Sequence, residues 1–295
     1  MIEISDYTFS LHKDNQPAAI CKNGDTIVFI TRDCYNNTIT EDSDEAVEID
    51  VLNDNPSTGP LFVEGAEKGD VLSVEILDIE VNEYGVVSAT KDQGPLGKFI
   101  ENRNRIIQIR DNKASYKGLS WDINPMIGVI GLPNENDKTP TFNVFEGGAN
   151  MDSAIITRGT KVYLPVRCKG GLLSIGDLHA SMGDGEVCGT GIEIAGRVTV
   201  KVSVIKNFEL NWPVTETDDA YYVNTSGETT DEAIQRGYEE MHRLIMNAYN
   251  LDSTDSALYM TMQGYIGANQ ACLTPRGGGN SFRIGTPKLK DKKII

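Results

Sequence analysis

The sequence has no run of about 18 consecutive apolar residues, so no segment is long and apolar enough to cross a bilayer as a helix. Histidine is scarce, three residues in 295. Positive charge is scarce too: 27 Lys and Arg stand against 43 Asp and Glu, a formal net charge of −16. That balance excludes a nucleic-acid groove or an anionic membrane surface as the expected partner, because both need clustered Lys and Arg. The five cysteines, Cys21, Cys34, Cys168, Cys188 and Cys272, are widely spaced and form no CxxC pair. Such usage excludes a disulfide framework or a Cys-rich zinc cluster and suits a reducing cytoplasm. Met1-Ile2-Glu3-Ile4-Ser5-Asp6 places acids where a signal peptide carries Lys or Arg, and no apolar stretch follows. The expectation is a cytoplasmic protein.

What is present reads mainly as β. The 29 glycines and 11 prolines supply turns for many short strands. The β-branched run Thr26 to Thr31 follows the turn signal Asn23-Gly24-Asp25. A second strand, Val71 to Val81, begins with apolar residues at Leu72, Val74 and Ile76 and then changes parity to Leu77, Ile79 and Val81. That switch predicts a bulge or a stretch buried on both faces. Strict alternation from Arg197 to Lys206 predicts a strand with one wet and one dry face. Further apolar runs at 126–132, 161–166 and 171–175 lie between turns.

The pattern changes after Asn211-Trp212-Pro213. Ile234, Tyr238, Met241, Ile245 and Ala248 make one stripe of an amphipathic helix, with Thr229 or Thr230 as its cap. A second helix is expected from Ser253 or Thr254 to about Gln263, stopped by Gly264. The fold expected is therefore mainly β. A sandwich- or barrel-like body spans residues 1–210, and a smaller α/β segment, 211–295, packs two helices on it.

Four polar, glycine-rich or strand-end segments are candidates for chemistry. Asp33-Cys34-Tyr35-Asn36-Asn37 follows a strand, and an Asx turn is its ordinary use. Glu64 ends the strand-like run after Asn55-Pro56-Ser57-Thr58-Gly59-Pro60. Asn150-Met151-Asp152 follows two glycines that permit close backbone approach. The richest segment runs from Gly176 to Glu193, where Asp177, His179, Asp184, Glu186 and Glu193 are punctuated by five glycines. Asp177 and His179 are two apart, a spacing that sends both side chains to one side of an extended strand and suits a divalent metal. Imidazole with carboxylates favours zinc, and an all-oxygen set would suit calcium or magnesium.

These segments, in this order, resemble the acetamidase/formamidase family of amide hydrolases. Carriers of the resemblance include Asn23 to Phe29, Asp33-Cys34, Asn55 to Pro60 and Val63-Glu64-Gly65-Ala66. They continue with Asn124 to Gly131, Asn150-Met151-Asp152, Gly176 through Glu193 and Gly264 to Ala271. The resemblance implies a β-sandwich-like body, a homodimer, and a divalent metal near the Asp-Leu-His segment, zinc first and calcium second. It implies hydrolysis of a small amide, formamide or acetamide, to the carboxylate and ammonia. On that basis Asp33, Asp177 and His179 are expected to hold the metal. Glu64 or Glu193 is expected as general base, and Asn150, beside Asp152, as the group that orients the carbonyl.

Two departures stand out. Where the family reads His-Gly-Gly-Asn-Met-Asp, this chain has Gly147-Gly148-Ala149-Asn150-Met151-Asp152, with Glu146 adjacent as a stand-in for the histidine. The order around Cys188-Gly189-Thr190-Gly191-Ile192-Glu193 is also altered. The alternative from another class is a catalytically impaired module of the same fold that binds a small ligand or a metal. A covalent route through Cys34 or Cys188 is the weaker enzymatic alternative.

Overall fold

A computed structural model describes residues 2–47, 50–271 and 280–295; Cys272 lies outside them. The chain is mainly β, built from two large sheets that do not close into a barrel, with two helices near the C-terminus. The first sheet has nine strands in the order Ile2–Ile4, Thr26–Thr31, Gly196–Ile205, Val71–Val81, Lys161–Pro165, Val214–Glu216, Ala220–Gly227, Asn280–Pro287 and Tyr265–Ala268. Only its first pair is parallel.

The second sheet has twelve strands, and its centre is Leu173–His179. That strand pairs along one edge with Met126–Gly131. Along the other edge it pairs with Ser57–Val63 and, at its end, with Glu193–Ile194. All seven of its residues are buried, because sheet neighbours cover both edges and the core covers its face.

The main core lies between the sheets. Phe29, Leu72, Val74, Ile76, Val198, Val200 and Val202 from the first sheet meet Leu61, Ile127, Ile130, Leu173, Ile175 and Leu178 from the second. Alternation decides which side each residue serves. Val162 and Leu164 enter this core, whereas Tyr163 between them faces a second core under the helices. Each large aliphatic side chain withdrawn from water in this way stabilises the fold by about 1.5–3 kcal/mol before chain entropy is counted. The parity switch in Val71–Val81 is a bulge: Thr199 pairs with Asp78 and Val200 with Ile76, leaving Leu77 as the extra, exposed residue.

The first helix is Thr230–Tyr249, capped by Thr229 Oγ1, which accepts from Glu232 N at 3.2 Å. Its buried face runs through Ala233, Gly237, Met241, Leu244 and Ile245, while Tyr238 turns outward. The stripe is thus rotated from the one expected, and Gly237 packs so tightly on the sheet that a Cβ there would collide with Ile284 Cγ1. Ser253–Gln263 forms the second helix, with Asp252 as its cap. Neither helix is long and apolar enough to cross a membrane. The first sheet continues unbroken across position 210, from Lys161–Pro165 to Val214–Glu216, whereas the core changes there from inter-sheet to helix-on-sheet packing.

Candidate active site

The central strand of the second sheet delivers Asp177 and His179 to one end of the sandwich. Its neighbours add Asn150 and Asp152 from beyond Met126–Gly131, and Glu193 directly opposite His179. The loop before Ser57–Val63 adds Asn55, and the loop after Thr26–Thr31 adds Cys34. Gln270 arrives after the edge strand Tyr265–Ala268. All of these except His179, together with Tyr35, Phe142, Glu186 and Thr190, line a cavity of about 30 Å³, space for a water or two. Among the described residues, no Lys or Arg lines it.

Three acids of the site hold left-handed backbone: Asp152 at φ +46°, Asp177 at φ +54° and Glu186 at φ +49°. Such conformations cost of order 1–3 kcal/mol each and persist where the surrounding structure enforces them. Gly128 allows two of these side chains to meet. A Cβ there would lie 2.5 Å from Asp152 Oδ1 and 2.6 Å from Asp177 Oδ2. Its carbonyl also accepts from Met151 N and Asp152 N, at 3.0 and 3.3 Å, which fixes the turn that carries Asp152.

His179 is fully buried and sits among the carboxylates. Its Nε2 lies 3.1 Å from Glu193 Oε1, 3.6 Å from Asp177 Oδ1 and 3.9 Å from Asp152 Oδ1. Asn55 Nδ2 donates to Asn150 Oδ1 at 3.1 Å and to Asp177 Oδ2 at 3.4 Å. Gln270 Nε2 joins Asp152 Oδ2, at 2.7 Å, to Glu186 Oε2, at 3.2 Å. Gly191 N donates to Glu193 Oε1 at 3.1 Å. Even so, Asp152 Oδ1, Asp177 Oδ1, His179 Nε2 and Glu193 Oε2 have no aligned hydrogen-bond partner among the described residues. Buried polar atoms are normally satisfied, so four bare atoms from one cluster mark a place built for something else.

The electrostatics agree. Burial pushes Glu193 up to about 8 and Glu186 up to about 7, while the His179 charge opposes the rise in both. Asp152 is driven well above the carboxylate range by burial and then by Glu186 and Asp177. Burial alone would lower the His179 pKa, but Glu193 and Asp177 outweigh it and raise it. A divalent cation would replace this mutual repulsion with attraction. The oxygen and nitrogen donors suit one, and Asp152, His179 and Glu186 offer ligand atoms that all lie within 4.8 Å of one another.

Of the residues expected from sequence, Asn150, Asp152, Asp177, His179 and Glu193 come together here. Asp33 and Glu64 are not among the residues that line the cavity. Asp33 is buried, but its Oδ1 accepts from Asn37 N at 2.7 Å while its own N–H donates to Asn37 Oδ1 at 3.0 Å. That clasp uses the carboxylate to close the loop, and burial raises its pKa to about 6. Its neighbour Cys34 lines the cavity instead. Glu64 is exposed and lies beyond the far end of Ser57–Val63. Seven residue steps at ~3.3 Å place it roughly 20 Å from the end of that strand nearest the site.

Glu146, the adjacent stand-in for a histidine, accepts from Asn134 Nδ2 at 2.7 Å and does not line the cavity. Glu186, Gln270 and Asn55 belong to the site although they were not among the expected catalytic or metal residues, and Cys34, weighed only as a covalent nucleophile, lines it too. Glu186 had a signal, since it lies inside the acid- and glycine-rich segment; Gln270 had none of its own. Burial and the nearby carboxylates hold the Cys34 thiol well above its ordinary pKa, which disfavours a thiolate nucleophile.

Comparison with known proteins adds independent findings. The acetamidase/formamidase family model matches residues 6–137 and 134–274. A formamidase from Methylophilus methylotrophus is 26% identical over 333 aligned residues, covering 87% of this chain and 79% of that protein. The crystal structure of an acetamidase from Bacillus halodurans matches with a TM-score of 0.92 at 36% identity, over 97% of each chain. A predicted acetamidase/formamidase from Thermoanaerobacter tengcongensis gives the same TM-score and identity, over 97% of this chain and 95% of that one.

Proposed function

The chain belongs to the acetamidase/formamidase family, and from that premise we propose that it hydrolyses a short aliphatic amide, formamide or acetamide, with the help of a divalent cation. The observation that carries this reading is the set of bare, buried atoms of Asp152, Asp177, His179 and Glu193 around a cavity with space for a water or two. Asp152, Asp177 and His179 would hold the cation, and a mixed imidazole–carboxylate set favours zinc over calcium. When bound there, it supplies a water with its pKa lowered from 15.7 towards roughly 7, and polarisation of the amide carbonyl.

The chain's own residues do the rest. Asn150 has its Oδ1 held by Asn55, which leaves its Nδ2 to orient and stabilise the carbonyl oxygen. Glu193 is anchored through Oε1 by Gly191 N, so its bare Oε2 can take a proton and pass it to the departing nitrogen. Burial works to raise the Glu193 pKa and a cation beside it would lower it, so the two together set its affinity for that proton. Gln270 keeps Asp152 and Glu186 in register, and Tyr35 and Phe142 help wall the cavity from bulk water.

The test is ammonia release from formamide and acetamide by purified protein, before and after chelation and after zinc is returned. Activity lost on chelation and restored by zinc supports the reading, and full activity in metal-depleted protein refutes the cation's role. One observation favours a second reading, a module that binds without turnover: Glu146 does not reach the cavity to replace the histidine of the family motif. Stoichiometric metal binding with no ammonia from either amide would favour it.

A further inference from the structure

We propose that Cys34 is a ligand of the cation site and determines which metal the site accepts. The inference rests on the cation-dependent reading above and narrows it to a thiophilic metal of the zinc class. Cys34, Asp177 and Glu193 offer ligand atoms that all lie within 4.8 Å of one another, and all three residues are buried. Asp177 Oδ1 and Glu193 Oε2, from the same group, lack aligned partners among the described residues.

The position of Cys34 is fixed from both sides. Asn55 N donates to its carbonyl at 3.0 Å, and the Asp33–Asn37 clasp closes the loop around it. Buried cysteine often serves only as a small apolar side chain, and Cys34 does pack with Tyr35 and Val86. Alanine or valine would serve that purpose as well. A pure packing role gives no reason for the sulfur to share a cavity with five carboxylates, among them Asp177, whose Oδ1 lies 3.6 Å from the His179 imidazole. Sulfur is the softest donor in that lining. Thiolate and imidazole select zinc-like ions, whereas calcium, magnesium and manganese prefer all-oxygen sets. Asp177, which belongs with Cys34 and lies 3.6 Å from His179 Nε2, connects the sulfur to the imidazole side of the site.

The experiment uses the full chain, freed of metal by chelation and reloaded with Co²⁺. The native chain should show a sulfur-to-cobalt charge-transfer band that Cys34→Ser lacks, with unchanged far-ultraviolet circular dichroism. In competition, zinc should outbind calcium in the native chain. That preference should shrink by about tenfold or more in Cys34→Ser, since even partners outside a ligand set tune affinity by about 10–100-fold. Cys34→Asp, which restores a hard ligand, should move the preference furthest towards calcium. Cobalt bound without a sulfur band, or an unchanged zinc-to-calcium preference in Cys34→Ser, overturns the proposal while leaving cation-dependent hydrolysis standing. A native chain that releases ammonia and binds no cation overturns both.

Discussion

Glu240 and Glu193 are equally withdrawn from water, 4% and 2% exposed, and the molecule treats them in opposite ways. Glu240 sits on the first helix, and each of its carboxylate oxygens accepts two hydrogen bonds. Oε1 accepts from Asn211 N (2.9 Å) and Arg243 Nη2 (2.7 Å), and Oε2 from Asn211 Nδ2 (2.8 Å) and Arg243 Nε (2.9 Å). Burial works to raise its pKa, but Arg243 and Asn211 together lower it. Glu193 has one backbone donor, a bare Oε2, and acids around it, and its pKa rises to about 8. The first carboxylate is complete within the fold. The second is completed only by something the fold must bind. Burial alone therefore does not separate structural from functional acids; the inventory of partners does.

Four substitutions can break or sharpen this contrast. Asp177→Asn should have the largest effect, because it removes an unpartnered ligand atom: kcat/KM for formamide should fall by about 10³-fold, about 4 kcal/mol of transition-state stabilisation. Steady-state ammonia release measures it. Glu193→Gln should lower kcat by about 10²-fold. In the cation-free protein it should leave the melting temperature unchanged or raise it. The raised pKa means that Glu193 loses favour as pH climbs from its usual 4.5 through about 8, so removing its charge relieves the folded state at alkaline pH. Glu240→Gln should do the reverse, leaving activity near normal while costing about 2 kcal/mol in urea unfolding at neutral pH. Its lowered pKa makes that contribution complete above 4.5 and lost as pH falls through the folded value, so the gap should close in strong acid. Glu64→Gln should change neither quantity by more than about 0.5 kcal/mol, as expected of an exposed side chain away from special features.

Legibility followed the range of the interactions. The bulge at Leu77 was readable because the parity switch is local. Asp177 and His179 do meet, yet not through extended-strand spacing, since Asp177 holds left-handed backbone. The fold class followed from turn density and alternation. Asp33 misled because its clasp with Asn37 competes for the same carboxylate, and the sequence alone does not weigh one use against the other. Glu64 misled through its place at a strand end, since alternation does not say which end of Ser57–Val63 faces the site. Gln270 stayed hidden because its partner Asp152 is 118 residues away and the pair meets only when the edge of one sheet closes over the other. From sequence Cys34 reads at most as a nucleophile in a weaker covalent alternative, and its place beside Asp177 and Glu193 emerges only when they are brought across from another sheet.

The central claim is that the buried acids around His179 await a cation. Calorimetric titration of zinc into chelator-treated protein, followed by thermal unfolding at saturating zinc, tests it most directly. Saturable binding at a defined stoichiometry should raise unfolding stability by about 2.7 kcal/mol when free zinc is a hundredfold above its dissociation constant. Asp177→Asn should abolish most of that gain. Absence of saturable binding, or a zinc-dependent gain that survives intact in Asp177→Asn, would contradict the account.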